Sequence, residues 1–353
     1  NLPHLWYSRD SSMNSMDREG GLLGLFRNKA VLACLTALCL ACGGCASQPE
    51  DISPLDADGL IVLTIGTADT GGTMTPVGTA IAQVLSTDQL KFNISTSTGS
   101  FMNIQNLSSG EIDLGLVAGD SAYTAVYGTE DSAPTNEDLR AVAAVFSSTS
   151  NWMSPIRTGA FYVHDLKGMR IGAGPQGSAS ELATWAVINA LRLDGDGTVL
   201  ENCSLGAGTD LILSGDLDAI HGFTGAPVSG LAQLPERVPS RLLRYTQEEL
   251  DLILSQNDLY YPAVIPAGTY PGQSQDVDTF GVKCLLCVDV SMDEELVYSM
   301  TQALWESADI MGELYPAMSV LSDRDFLCED LPIPLHDGAQ RFYEEVCPEL
   351  VSK

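Results

Sequence analysis

Residues 63–78 read "LTIGTADTGGTMTPVG": an apolar strand, a turn of glycine and threonine, then a segment with helical spacing. Gly66 followed by Gly71, Gly72 and Thr73 comes close to the G-x-x-x-x-G-K-[ST] phosphate loop, but Gly72 stands where that motif needs lysine. Without that charge a nucleotide loses its main electrostatic partner. What remains is a strand–turn–helix unit whose first-turn N–H groups lack intrahelical acceptors. Such a turn cradles an anion or another polar group.

Two further turns share this grammar. "STSTGSFMN" (95–103) and "GPQGSASE" (174–181) each leave a strand and open a helix with Gly, Ser or Thr. Turns of this kind stand at the carboxyl ends of strands, where open α/β sheets bind ligands. One alone has an ordinary explanation, because every strand-to-helix loop needs a glycine and an N-cap. Three together, with Ser178, Ser180 and Glu181 in a capping-box-like cluster, point toward binding.

Outward from these turns, strands and helices alternate. "LIVLTIG", "FNISTST", "IDLGLV", "RAVAAVFS", "MRIGAG", "TVLENC", "LDAIHGF" and "SRLLRY" read as strands. Residues 76–85, 100–109, 178–191, 210–214 and 225–233 read as helices. The alternation predicts an α/β fold with largely parallel sheets. "DTFGVKCLLCVDV" reads as one long strand and 293–312 as a long helix. A second Gly-rich turn well downstream of the first, and the Pro-, Gly- and Tyr-loaded "YYPAVIPAGTYPG", favour two lobes over one doubly wound sheet.

The 353-residue chain carries 17 Lys+Arg against 46 Asp+Glu. That balance opposes nucleic-acid binding, which needs a basic face. Arg27 and Lys29 precede an apolar run, 30–41, that is too short to span a bilayer and reads as an export leader beginning at Met13 or Met16. The run ends in "CLACGG", which resembles a bacterial lipobox with Cys42 as the lipidated residue. Cys45 is the alternative, and an ordinary cleaved signal peptide is the competing reading. Residues 1–45 are then leader and lipobox, and 46–59 a polar tether. The protein is expected to be exported, extracytoplasmic and anchored to the cell membrane as a lipoprotein.

Chemistry finds little support. The four histidines, His4, His164, His221 and His336, show no metal-binding spacing, and no G-x-S-x-G elbow surrounds Ser178. His221 reads as a structural hydrogen-bonding residue, and Glu111 and Asp113 as a solvated edge. Cys284 and Cys287 lie in a strand, so they face opposite sides as small hydrophobes and not as a zinc or redox pair. Cys328 and Cys347 are candidates for pairing in an oxidising compartment. No enzyme, metal or cofactor is expected.

"LTIGTADTGGTMTPVGTAIAQVL", "TGSFMNIQNLSSGEIDLGLV", "DLKGMRIGAGPQGSASE", "YYPAVIPAGTYPGQ" and "LPIPLHDGAQRFYEE" together resemble the TAXI-type solute receptors of TRAP transporters. "IPAGTYPGQ" is the most specific segment. The resemblance implies a two-lobed type II periplasmic-binding-protein fold with a hinge and a central ligand cleft. Lobe 1 would begin with 60–150 and lobe 2 would be 151–265. Residues 266–353 would return through the hinge and complete lobe 1. The resemblance also implies a monomer that captures a small organic anion (dicarboxylate, 2-oxoacid or acidic amino acid) and delivers it to a TRAP-type membrane permease. A sensing role beside a signalling partner is the alternative.

Carried over by residue, the implied ligand site is Thr67, Gly71, Gly72 and Thr73 from the first turn. The second turn gives Gly99, Ser100 and Asn103, and the third gives Gly177, Ser178, Ser180 and Glu181. Tyr270 is a candidate cleft wall. Met74 and Thr75 stand where the family commonly has tyrosines, and Pro155 where an arginine is common, with Arg157 two residues on. Ser178→Ala and Asn103→Ala are both expected to weaken binding while leaving the melting temperature unchanged.

Overall fold

The computed structural model describes residues 60–351 apart from 130, 131 and 196. The leader, Cys42 and the tether lie outside the described residues. The chain opens with β1 (Ile61–Gly66), α1 (Met74–Leu85), β2 (Leu90–Ser95), α2 (Ser100–Ser109), β3 (Leu114–Ala118) and α3 (Gly119–Tyr127). β1 is parallel to both β2 and β3. α1 forms because Val77, Ile81 and Leu85 recur at helical spacing, and all three are buried against the sheet.

β4 (Leu139–Pro155) then runs for 17 residues, twice as far as its apolar start "LRAVAAVF" suggests. Its second half, "SSTSNWMSP", is polar yet almost wholly buried. Burial is tolerated because most of the polar side chains are hydrogen-bonded, Ser148 Oγ being the exception. Ser150 Oγ meets His221 Nε2 at 2.9 Å, Asn151 Nδ2 donates to Thr224 O at 3.0 Å, and Ser154 Oγ donates to Asp218 O at 2.8 Å.

A second α/β unit follows: β5 (Arg170–Gly172), α4 (Ala179–Ala190), β6 (Val199–Glu201), α5 (Leu205–Ser214), β7 (Ala219–Thr224), α6 (Ser229–Arg237), β8 (Ser240–Leu242), α7 (Gln247–Leu254) and β9 (Tyr261–Ile265). β10 (Val277–Asp289) returns antiparallel to β4, and α8 (Glu294–Leu314) and α9 (Asp337–Val346) complete the first unit. Ile265, Tyr270 and Val277 pack in the core of the second unit.

Two helix readings change. α5 begins five residues before 210, since Ser204 caps it by accepting from Ala207 N, and Gly206 and Gly208 blur the apolar period. α6 starts at Ser229 rather than 225 because Gly225–Val228 is an irregular segment lying against the first unit. α3 and α7 are short helices that the apolar spacing does not announce, whereas in α9 the buried Ala339, Phe342 and Tyr343 recur at helical spacing.

Strand order fixes the architecture. The sheet runs β2-β1-β3-β10-β4-β7-β5-β6, with β8 on β4 and β9 on β10. Each lobe therefore repeats one pattern, second–first–third strand and then a shared long strand. This is the two-lobed type II periplasmic-binding topology. β4 and β10 cross between the lobes, and their pairing runs from Gly281↔Thr149 to Asp289↔Leu139. Cys284 and Cys287 face opposite cores on β10, as their spacing requires, and burial pushes both thiols up.

Candidate ligand-binding cleft

In each lobe the order reverses beside the first strand, and loops at such switch points diverge to leave a crevice. The three Gly-rich turns end β1, β2 and β5 there. After β1, Thr67 is fully buried and its Oγ1 donates to Ser95 O at 3.0 Å. After β2, Gly99 N-caps α2 at φ +124°, a conformation that L side chains rarely adopt. Asn103 ties these two turns together: its Nδ2 donates to Thr67 O (2.9 Å) and Leu116 O (2.8 Å), and its Oδ1 accepts from Ser97 Oγ (2.8 Å). Ser100 Oγ accepts from Ala118 N at 3.0 Å.

The third turn is built like a capping box displaced by one residue. Ser178 Oγ accepts from Glu181 N at 3.2 Å, while Glu181 Oε2 accepts from Gly177 N at 2.6 Å instead of from the N-cap's own N–H. Ser180 Oγ accepts from Phe223 N at 2.9 Å, binding the start of α4 to β7.

Gly72, Thr73, Gly99, Ser100, Ser178 and Ser180 line one cavity of about 40 Å³ between the lobes. Met74, which stands where the family commonly has a tyrosine, shares that lining, as do Asp69, Leu205, Phe223 and Thr224, which the sequence did not single out as ligand contacts. Thr67, Asn103 and Glu181 are not in the lining; their side chains brace the turns. Gly71 accepts through its carbonyl from Gly230 N at 3.0 Å, and Gly177 lies against Phe101 of the facing lobe. Tyr270 is placed elsewhere. It is 2% exposed in the second lobe, where its hydroxyl donates to Asn151 Oδ1 (2.8 Å) and accepts from Val228 N (3.1 Å). Arg157 also lies away from the cleft, donating to Ile212 O at 3.0 Å.

The lobes meet around the cavity. Leu205 N donates to Asp69 Oδ2 at 3.2 Å, Thr73 Oγ1 donates to Gly225 O, and Tyr315 hydroxyl donates to Pro227 O at 3.0 Å. This is a closed arrangement. Among the described residues no Lys, Arg or His lines the cavity, and Asp69 is its one charged side chain. Burial raises the Asp69 pKa, partly offset by the N–H groups of Leu205, Gly72 and Gly71. The one signal in the sequence was an acid inside "TADTGG", a turn otherwise free of charge.

His221, behind this wall, is fully buried and stacked on Trp152 at 4.1 Å. Its two ring nitrogens meet Ser150 and Thr184, and burial pushes its pKa down to about 3. A neutral ring with both nitrogens engaged inside the wall is a structural element.

The sequence model of the NMT1-like family matches residues 65–346, most of the chain. The chain belongs to the NMT1-like family. Solved structures similar to this NMT1-like chain include the alkanesulfonate-binding protein SsuA from Xanthomonas axonopodis pv. citri bound to MOPS. It is 15% identical, with 82% of each chain covered and a TM-score of 0.45. Another is the ligand-binding component of an ABC-type import system from Staphylococcus aureus with zinc bound. It is 12% identical, covering 74% of this chain and 78% of that one, with a TM-score of 0.47. A third is an ancestral arginine-binding protein bound to arginine, 16% identical, covering 74% and 97%, with a TM-score of 0.43. These likenesses are distant, and the fold of the NMT1-like chain rests on its strand order.

Proposed function

We infer that this protein is an extracytoplasmic solute receptor of the TAXI type. It captures a small organic anion between its lobes and passes it to a TRAP-type membrane permease. The observation that carries the reading is the convergence of the α1, α2 and α4 N-termini, with their Ser and Thr hydroxyls, on one interlobe cavity. First-turn N–H groups have no intrahelical acceptor, and each helix start favours an anion by about 0.3–1 kcal/mol. A ligand touching both lobes binds the closed form better and shifts the population toward it. Closed, the cavity admits little beyond a water-sized guest. A ligand of several carbons therefore enters with the lobes parted and holds them slightly wider than here.

Among dicarboxylates, 2-oxoacids and acidic amino acids, the amino acid alone brings a positive charge to Asp69. Anchoring through Cys42 would keep the receptor beside its permease. The test is native mass spectrometry of the purified full-length chain, before and after unfolding and refolding. Release of a small acid supports the reading and identifies the ligand class. An empty protein whose melting temperature is unmoved by a panel of organic and amino acids overturns it.

A further inference from the structure

The segment "AGTYPGQSQ" does not reach the cleft; it forms one wall of a second and larger pocket, about 250 Å³, on the outside of the second lobe. Met153, Leu242, Tyr270 and Val277 are buried and make its floor. Its rim is Arg241, Arg244, Phe161 and the turn 271–275. The two guanidinium carbons lie 5.4 and 5.5 Å from the centroid of the same Phe161 ring. Arg244 Nη2 also donates to Gln275 Oε1 at 2.8 Å.

What sets this pocket apart is charge. In a chain of net charge −29, carboxylate partners are plentiful. Arg170, Arg237, Arg324 and Arg341 each take one or more within 4 Å. Arg241 and Arg244 have no carboxylate at that distance among the described residues. Acids beside the lining segments are otherwise engaged: Asp165 accepts from Phe161 N and Tyr162 N, Asp276 accepts from Ala267 N, and Glu249 accepts from Thr246 N and meets His164 Nδ1. Two like charges over one ring repel each other unless an anion joins them. A guanidinium fork matches an oxyanion in two parallel hydrogen bonds.

We propose that this pocket is a second ligand site, accepting a small oxyanion, carboxylate or phosphate, on Arg241 and Arg244. The apolar floor suits a compact hydrocarbon body behind a carboxylate, and the open rim suits a bare phosphate. The site is independent of the receptor reading, because it shares no lining residue with the cleft. Tyr270 is common ground of another kind, being both floor here and hydrogen-bonded to Val228 beside the segment that closes over the cleft.

The test titrates full-length protein by calorimetry with inorganic phosphate in one arm and benzoate in the other. The comparison proteins are the double variant Arg241→Gln/Arg244→Gln and the cleft variant Asp69→Asn. Binding of either probe at millimolar concentration is expected in the wild type and in Asp69→Asn, weakened about tenfold or more in the double variant. Benzoate alone binding identifies a carboxylate with an apolar body; phosphate alone identifies a phosphoryl group. The proposal is overturned if neither probe binds the wild type, or if a folded double variant (melting temperature as wild type) binds as well as the parent.

Discussion

The cavity between the lobes measures about 40 Å³ and is lined by hydroxyls, helix starts and one carboxylate. The pocket on the second lobe measures about 250 Å³ and carries two arginines on its rim. The first is assembled from residues far apart in the chain and exists only while the lobes touch. The second lies within one lobe, so lobe motion leaves its lining together. Affinity in the cleft should therefore follow closure, whereas affinity in the arginine pocket should follow local charge.

The largest expected effect concerns what braces the cleft rather than what lines it. Asn103 is fully buried, and three hydrogen bonds to Thr67 O, Leu116 O and Ser97 pass through its amide. Asn103→Ala leaves two buried carbonyls without that donor, at a cost of about 2–4 kcal/mol of stability. The sequence alone suggested an unchanged melting temperature; the geometry predicts a clear fall, measurable by thermal denaturation. Ligand affinity in the arginine pocket should be unmoved at temperatures where the variant is folded.

Closure itself is tested at Gly225. A methyl group there would lie 2.8 Å from Ala317 Cβ and Phe146 Cδ2, and 2.9 Å from Thr73 Cγ2. All three belong to the first lobe, so Gly225→Ala obstructs the closed form while an open form can escape the clash. Overpacking of this kind costs about 1–3 kcal/mol. Cleft affinity should drop about tenfold or more by that amount, and small-angle scattering should show a larger radius of gyration with ligand present. An unchanged radius would mean that the segment simply yields. Ser178→Ala should act more weakly, at about 1 kcal/mol, through the lost N-cap of α4.

Local chemistry was legible and long-range chemistry was not. The turns at 66–73, 95–103 and 174–181 announce themselves by Gly, Ser and Thr between a strand and a helix, because turn geometry and capping are set within a few residues. Asp69 and Leu205 lie 136 residues apart, and no local pattern links them. The second half of β4 carries no apolar strand signal because most of its residues are polar. They are buried only because His221, Tyr245, Gly222 and Thr224 arrive from other elements to satisfy them. Tyr270 shows the same limit: its motif stood out, but its place depends on where β10 carries it.

The charge difference between the two cavities predicts a difference in pH response. The Asp69 carboxyl is raised above 3.8 in the closed form, chiefly by burial. A raised carboxyl pKa means that closure is helped by the proton and becomes less favourable as pH climbs from 3.8 through the raised value. Scattering across that window should show the wild type opening as pH rises. Asp69→Asn should lose that slope.

The smallest effect isolates the ring between the two arginines. Phe161 is 41% exposed, so its removal costs little packing, and a half-exposed cation–π contact contributes about 0.5–1 kcal/mol. Phe161→Leu keeps an apolar side chain and deletes the ring face under both guanidiniums. Stability should change by less than about 1 kcal/mol, while phosphate or benzoate affinity falls several-fold because Arg241 and Arg244 lose their shared platform. Cleft binding should stay as in the wild type, since Phe161 is absent from that lining. If oxyanion affinity is also unchanged, the arginines are held by Gln275 and the backbone turn, and the ring serves only as cover.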